Sequence, residues 1–224
     1  MIDIMLIPQG AEYQAVRRGL GHARVPVVVP IPVSPAPLSR YLKTWQQTAP
    51  LAGKKLLVMG LCGGLVPRHA IADLVLYREC INRPDPCTVL PCDAALLEWL
   101  QKKLPLGAAV VRALTSDRLV WSSSEKQQLA QQYSADVVDM EGFAALEALH
   151  QTSARVAMLR VVSDNAQHDL PDLTSAISQD GALRTLPLAW GMASQPIAAT
   201  RLIRGSLRSL KTLEAIAKQL VNER

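Results

Sequence analysis

Two acidic residues stand where alternating strands and helices would aim them at one place. In the stretch Asp136–Asp169 (DVVDMEGFAALEALHQTSARVAMLRVVSDNAQHD), Val137, Val138 and Met140 suit a buried strand end, and Glu141 follows at once. The chain then enters a segment with Phe143, Leu146 and Leu149 at helical spacing. A second apolar run, Val156 to Val162, ends in Ser163-Asp164. Strands that feed helices put their carboxyl ends on one edge of a parallel sheet, where ligands of open α/β sheets bind. Glu141 and Asp164 are therefore expected side by side at one rim. Carboxylates so placed divide the work: one accepts hydrogen bonds from vicinal sugar hydroxyls, the other moves a proton when burial tunes it. The structural alternatives are a carboxylate at a helix N-terminus for Glu141 and an Asx-turn former for Asp164.

The segments VDMEGFA and RVVSDNA resemble the two C-terminal motifs of the nucleoside phosphorylase and methylthioadenosine/S-adenosylhomocysteine nucleosidase superfamily. In that family the first motif carries a Glu that grips the ribose hydroxyls, and the second an Asp that protonates the leaving purine. The matching residues are Glu141, with Met140 beside it, and Asp164, with Ser163 bracing the base or Asp164 itself. The segment Gly60-Leu61-Cys62-Gly63-Gly64-Leu65, followed by Ala72-Asp73-Leu74-Val75, is similar to the family's glycine turn and the motif after it. This implies close approach of Gly63 and Gly64 to the ligand. Thr115-Ser116-Asp117 resembles a third family turn, which implies substrate contact at Ser116 and a cover over the base at Leu119, with Val120 and Trp121 close by. In the nucleosidases a Glu just after the first strand activates water. Glu12 is the candidate here, although strict strand alignment puts the family Glu one residue away, at Tyr13. The bland reading of Glu12 is a carboxylate favoured by the helix dipole.

The resemblance implies an α/β fold: a three-layer α/β/α sandwich with a central mixed, partly barrel-like sheet, as a single domain over residues 1–224. It implies cleavage of a purine N-glycosidic bond, with a small-molecule nucleoside as partner, a homodimer or larger homo-oligomer, and no cofactor. Phosphorylases carry an Arg and a Ser in the glycine segment to bind phosphate. Val58 and Leu61 appear at the matching positions and can make no charge-assisted contact to it. Hydrolysis is therefore the favoured reading. Phosphorolysis, with phosphate as a second substrate, is the alternative, and a catalytically silent nucleoside-binding protein is a third.

The elements that must position these residues read as follows. Ile2–Ile7 is a first strand, turned by Pro8-Gln9-Gly10 into a helix over Ala11–Leu20. Val25–Val33, punctuated by proline, is an edge strand or extended connector. A helix over Leu38–Gln47 and an apolar strand over Lys54–Met59 lead into the glycine segment, read as a turn. Arg78–Pro91 reads as loop, Cys92–Leu104 as helix and Ala108–Leu114 as strand. Ser122 with Glu125 fits a capping box for a helix over Ser124–Tyr133. Asp172 reads as an N-cap. The last helix begins near Pro196, with Ile203, Leu207, Leu210, Leu213, Ile216 and Leu220 as its apolar set and Arg201, Arg204, Arg208 and Lys211 opposite.

Composition bounds the rest. With 49% hydrophobic residues in 224, the chain can bury a sizeable core. A net charge of +5 suits anionic small molecules but is no nucleic-acid signature. No apolar run is long enough for a transmembrane helix, and the N-terminus reads as a strand, so a cytoplasmic protein is expected. The cysteines Cys62, Cys80, Cys87 and Cys92 form no C-x-x-C pair and read as free thiols. A metal or disulfide at Cys87 and Cys92 is weakened by the lack of a nearby His, so no metal is expected. His22, His69 and His150 suggest no site, and His168 reads as a surface loop histidine.

Overall fold

The computed structural model describes residues 1–83, 88–104, 107–173 and 185–221, with side chains from 189 onward in the last stretch. Eight strands form its centre: β1 (Ile4–Pro8), β2 (Val27–Ile31), β3 (Lys55–Gly64), β4 (Leu74–Asn82), β5 (Val89–Pro91), β6 (Ala109–Thr115), β7 (Val137–Asp139) and β8 (Arg155–Asp164). The pairings β3–β7, β7–β6, β6–β4, β4–β8 and β8–β3 close on themselves, so five strands make a barrel. β1 and β2 extend it from β3 as a parallel wing, and β5 continues it from β4 as an antiparallel edge. Helices α1 (Ala11–Leu20), α2 (Pro35–Trp45), α3 (Ala94–Lys103), α4 (Ser123–Tyr133), α5 (Gly142–Leu149), α6 (Thr185–Ser194) and α7 (Pro196–Val221) flank the sheet. α1 packs on α7, α7 lies along β8, and α2 packs on α5. This is the expected mixed, partly barrel-like α/β architecture.

Its strands form where apolar residues can face a core on both sides, as parallel and barrel strands require. Leu56, Leu57, Val58 and Met59 of β3 and Val156 to Leu159 of β8 are buried against each other and their neighbours. Among the described residues β2, with Pro30 inside it, pairs only with β1, so the missing proline N–H falls on an edge.

Several local expectations are corrected. The glycine segment is not a turn: β3 runs through it to Gly64, and the register with β8 shifts between Cys62 and Gly63. Glycine is needed there because two chains of polar groups approach the strand. A Cβ on Gly60 would collide with Arg160 Nη1 and lie 2.6 Å from Glu12 Oε1. Arg78–Pro91 is not a loop throughout. β4 reaches Asn82 because Cys80 and Ile81 are buried, and β5 returns against it. The capping box does not form, since Glu125 is drawn away by Arg83 (2.7 Å) and Arg118 (2.6 Å). Asp169 Oδ1 instead accepts the Ser123 N–H at 2.7 Å. On α7, Ile203 and Leu207 are exposed, while Gly205, Ser209, Leu213 and Ile216 face inward. The small residues are selected by close contact: Gly205 sits against the Ser163 carbonyl, and Ser209 Oγ donates to the Val162 carbonyl at 2.6 Å. The helix expected after Asp172 falls outside the described residues, as does Cys87. Cys62, Cys80 and Cys92 are buried free thiols.

Candidate active site

The C-terminal ends of β3, β7 and β8 and the start of α1 surround a half-open cavity of about 240 Å³. Glu12, Gly63, Leu119, Met140, Glu141, Ser163 and Asp164 all line it. Two residues expected at the ligand do not. Gly64 pairs with Val137 behind the wall, and Ser116 is buried, its Oγ accepting the Arg118 N–H at 3.3 Å. Trp121 is also absent from the lining, so the apolar cover is Leu119 with Val120. Glu12, not Tyr13, reaches the cavity; Tyr13 packs on the core.

One wall holds the carboxylates of Glu12 and Glu141, organised by a residue the sequence reading did not single out. Arg160, wholly buried on β8, contacts Asp139 Oδ2 at 3.0 Å and Glu141 Oε2 at 3.5 Å. An arginine stays charged in proteins, so this buried cation anchors the cluster of acids around it. Asp139, also missed, does the structural work at the start of α5. Its carboxylate accepts the Gly142 N–H at 3.1 Å and the Thr115 hydroxyl at 2.9 Å. Glu141 occupies the N-cap position with no side-chain capping bond. Asp139 thus takes the capping role weighed for Glu141. Glu141 Oε1 accepts only a long bond, 3.4 Å, from the Ser34 N–H. With both its contacts long, its oxygens can still turn to a ligand.

Burial pushes the Glu141 carboxyl up, with Arg160 pulling the other way and Asp139 and Glu12 adding to the rise. Glu12 is pushed up to about 7, chiefly by burial; Arg160 and the Leu61 N–H, which donates to Glu12 Oε1 at 2.6 Å, oppose the shift. A carboxyl that titrates near neutrality suits a general base. Cys62 also lines the cavity, but burial pushes its thiol far up, which removes it as a nucleophile.

Asp164 borders the same cavity. Ser163 Oγ lies 2.8 Å from Asp164 Oδ1 and 3.1 Å from the Cys62 carbonyl. Asp164 Oδ2 is paired with Lys126 Nζ, which also donates to the Asn165 carbonyl at 3.0 Å. A second cavity of about 220 Å³, bordered by Ile71, His168 and Arg201, meets the first at Asp164. His168 Nδ1 is 3.1 Å from Asn165 Oδ1 and is exposed, as a loop histidine would be. Val58, one of the two positions matched to phosphate contacts, is wholly buried in β3, while Leu61 lines the cavity. Among the described residues no group of three His, Cys, Asp or Glu is placed to hold a metal, and no helix is long and apolar enough to cross a membrane.

The family model of the phosphorylase superfamily matches residues 7–185. Solved structures of the same fold include a Helicobacter pylori 5′-methylthioadenosine/S-adenosylhomocysteine nucleosidase complexed with a pyrrolopyrimidine-bearing pyrrolidine. It is 15% identical, with a TM-score of 0.71, over 99% of this chain and 97% of that one. The futalosine hydrolase of H. pylori is 16% identical with a TM-score of 0.72, over 99% and 97% of the two chains. A putative nucleosidase of the same kind from Borrelia burgdorferi, bound to adenine, is 13% identical with a TM-score of 0.71, over 99% of each chain. No curated protein sequence matches the chain. A family model that covers most of the length, with the fold shared with these structures, leads to one conclusion: the chain belongs to the phosphorylase superfamily.

Proposed function

We propose that the protein hydrolyses the N-glycosidic bond of a purine nucleoside, as nucleosidases of the methylthioadenosine/S-adenosylhomocysteine type do. The observation that carries this reading is that two kinds of carboxyl line one cavity. Asp164 is tied to a cationic partner, and Glu12 is an acid pushed up to about 7.

Each has a place in the reaction. The leaving purine must gain a proton, because its anion leaves poorly, and Asp164 is the group that passes it. The ribosyl cation is steadied through its two hydroxyls by Glu141, whose two oxygens can each accept one. Water on the opposite face of the sugar gives its proton to Glu12 as its oxygen bonds to the anomeric carbon. Phosphate is disfavoured at this wall. Three acids, Glu12, Asp139 and Glu141, surround the single guanidinium of Arg160, and desolvating a phosphate dianion without paired donors is costly. Arg118 also lines the cavity, but both its terminal nitrogens are engaged by Glu125, at 3.1 and 2.6 Å.

The reading is tested with a panel of purine ribonucleosides and their 2′-deoxy counterparts, scored by release of free base. Ribonucleosides are expected to react and the deoxy series to lag. Glu141→Ala should weaken binding by about 1.5–3 kcal/mol, the value of a hydrogen bond to a charged group. Nucleoside binding without release of base would make the protein a binder rather than an enzyme.

A further inference from the structure

The Lys126–Asp164 pair holds a proton source that no family resemblance assigned. Lys126 lies on the inward face of α4 with Leu129 and Tyr133, at helical spacing of three and four, and none of its side chain is exposed. An apolar residue would suit that position, since replacing a buried ion pair by well-packed hydrophobes is often neutral or stabilising. Lys126 is instead buried with its ammonium on Asp164 Oδ2 and the Asn165 carbonyl, behind the carboxylate and outside the cavity lining. Ser163 Oγ occupies the other carboxylate oxygen.

We propose that Lys126 is the positioning residue of the general acid and the source of its proton, so that the pair, rather than Asp164 alone, protonates the leaving base. This rests on the N-glycosidase reading above. As the bond between the anomeric carbon and the base breaks, its electron pair goes to the base. The base takes a proton through the Asp164 carboxylate, which draws that proton from Lys126 Nζ. Lys126 is left as a neutral amine and Asp164 as a carboxylate. Water meanwhile bonds to the anomeric carbon and leaves its proton on Glu12. Passage of that proton through solvent to Asp164, which lines the cavity, and from Asp164 back to Lys126 closes the cycle, with nucleoside and water consumed and base and ribose formed.

The test compares two leaving groups on the full chain: a purine ribonucleoside, whose base needs a proton, and p-nitrophenyl β-D-riboside, whose phenolate leaves without one. Lys126→Gln removes the ammonium. Lys126→Arg keeps a cation on Asp164 but cannot give up a proton. Both variants are expected to lose about 10²-fold or more in kcat on the purine nucleoside and to stay within a few-fold of the parent on the nitrophenyl riboside. The nitrophenyl reaction also reports that each variant is folded with a working sugar site. Equal losses on both substrates would reduce Lys126 to a structural role and overturn the proposal. Full purine activity in Lys126→Arg would show that charge, not proton supply, is what matters, and would overturn it too. A parent protein that cleaves neither substrate would instead contradict the N-glycosidase reading itself.

Discussion

Asp164→Asn is expected to lower kcat on purine nucleosides by about 10²–10⁴-fold, the usual contribution of a positioned general acid. Asparagine keeps the size and the bond to Ser163 but cannot relay a proton to the leaving nitrogen. The affinity for an uncleavable nucleoside analogue should change little, because Glu141, Met140 and Leu119 still line the cavity. The substitution has a second effect. It strips Lys126 of its anion inside the protein, and removing one partner of a buried pair typically costs about 3–5 kcal/mol. Rate, analogue affinity by calorimetry and unfolding by urea should therefore be measured on the same preparation. Full turnover in a folded Asn variant would remove Asp164 from the mechanism.

Glu12→Gln is expected to be nearly as damaging, and it carries a pH signature. Glu12 is pushed up to about 7, and only its carboxylate can take a proton from water. In the parent, kcat/KM should fall about tenfold per pH unit below that point. The Gln variant should lose about 10²-fold or more at pH 8 and show no such limb from this group. Stability gives an independent reading. The folded protein holds the Glu12 proton up to about 7, whereas the unfolded chain releases it near 4.5. The folded state thus binds more protons between those values, and its stability should decline as pH rises through that window. Glu141, also pushed up by burial, extends the decline upward. Glu12→Gln should flatten the lower part of it, as followed by thermal unfolding at a series of pH values. An unchanged activity limb in the variant would assign the titration to another group.

The acids at strand ends were legible because the sequence marks them directly. Apolar runs stop at Glu141 and Asp164, and a parallel strand can only deliver such residues to its carboxyl edge. Arg160 was missed although the signal was present: a charge within VAMLRVV, an otherwise apolar strand, must find buried partners. Asp139 was hidden by its neighbour. Two acids separated by one residue share a face of an extended chain and both border the cavity, and only the structure shows that Asp139 caps α5 while Glu141 keeps only long contacts. Lys126 was not legible at all, because a lysine two residues after a run of serines on a helix reads as solvated. The glycine segment misled for a related reason. Glycine marks both turns and close approaches, and at Gly60 and Gly63 the close approach of Arg160, Glu12 and Asp164 decides. On α7 the expected core face holds from Leu210 through Leu220 but fails in the first turns, where contact with β8 selected Gly205 and Ser209 over the larger Ile203 and Leu207.

The most direct test of hydrolysis at this site is product analysis of a reactive purine ribonucleoside in the presence and absence of millimolar phosphate. The acid-rich wall around Arg160 and the lack of an arginine or hydroxyl at Val58 and Leu61 predict free ribose, or its 5′-derivative, at the same rate in both conditions. Ribose 1-phosphate as the main product, or base release that requires phosphate, would contradict the account.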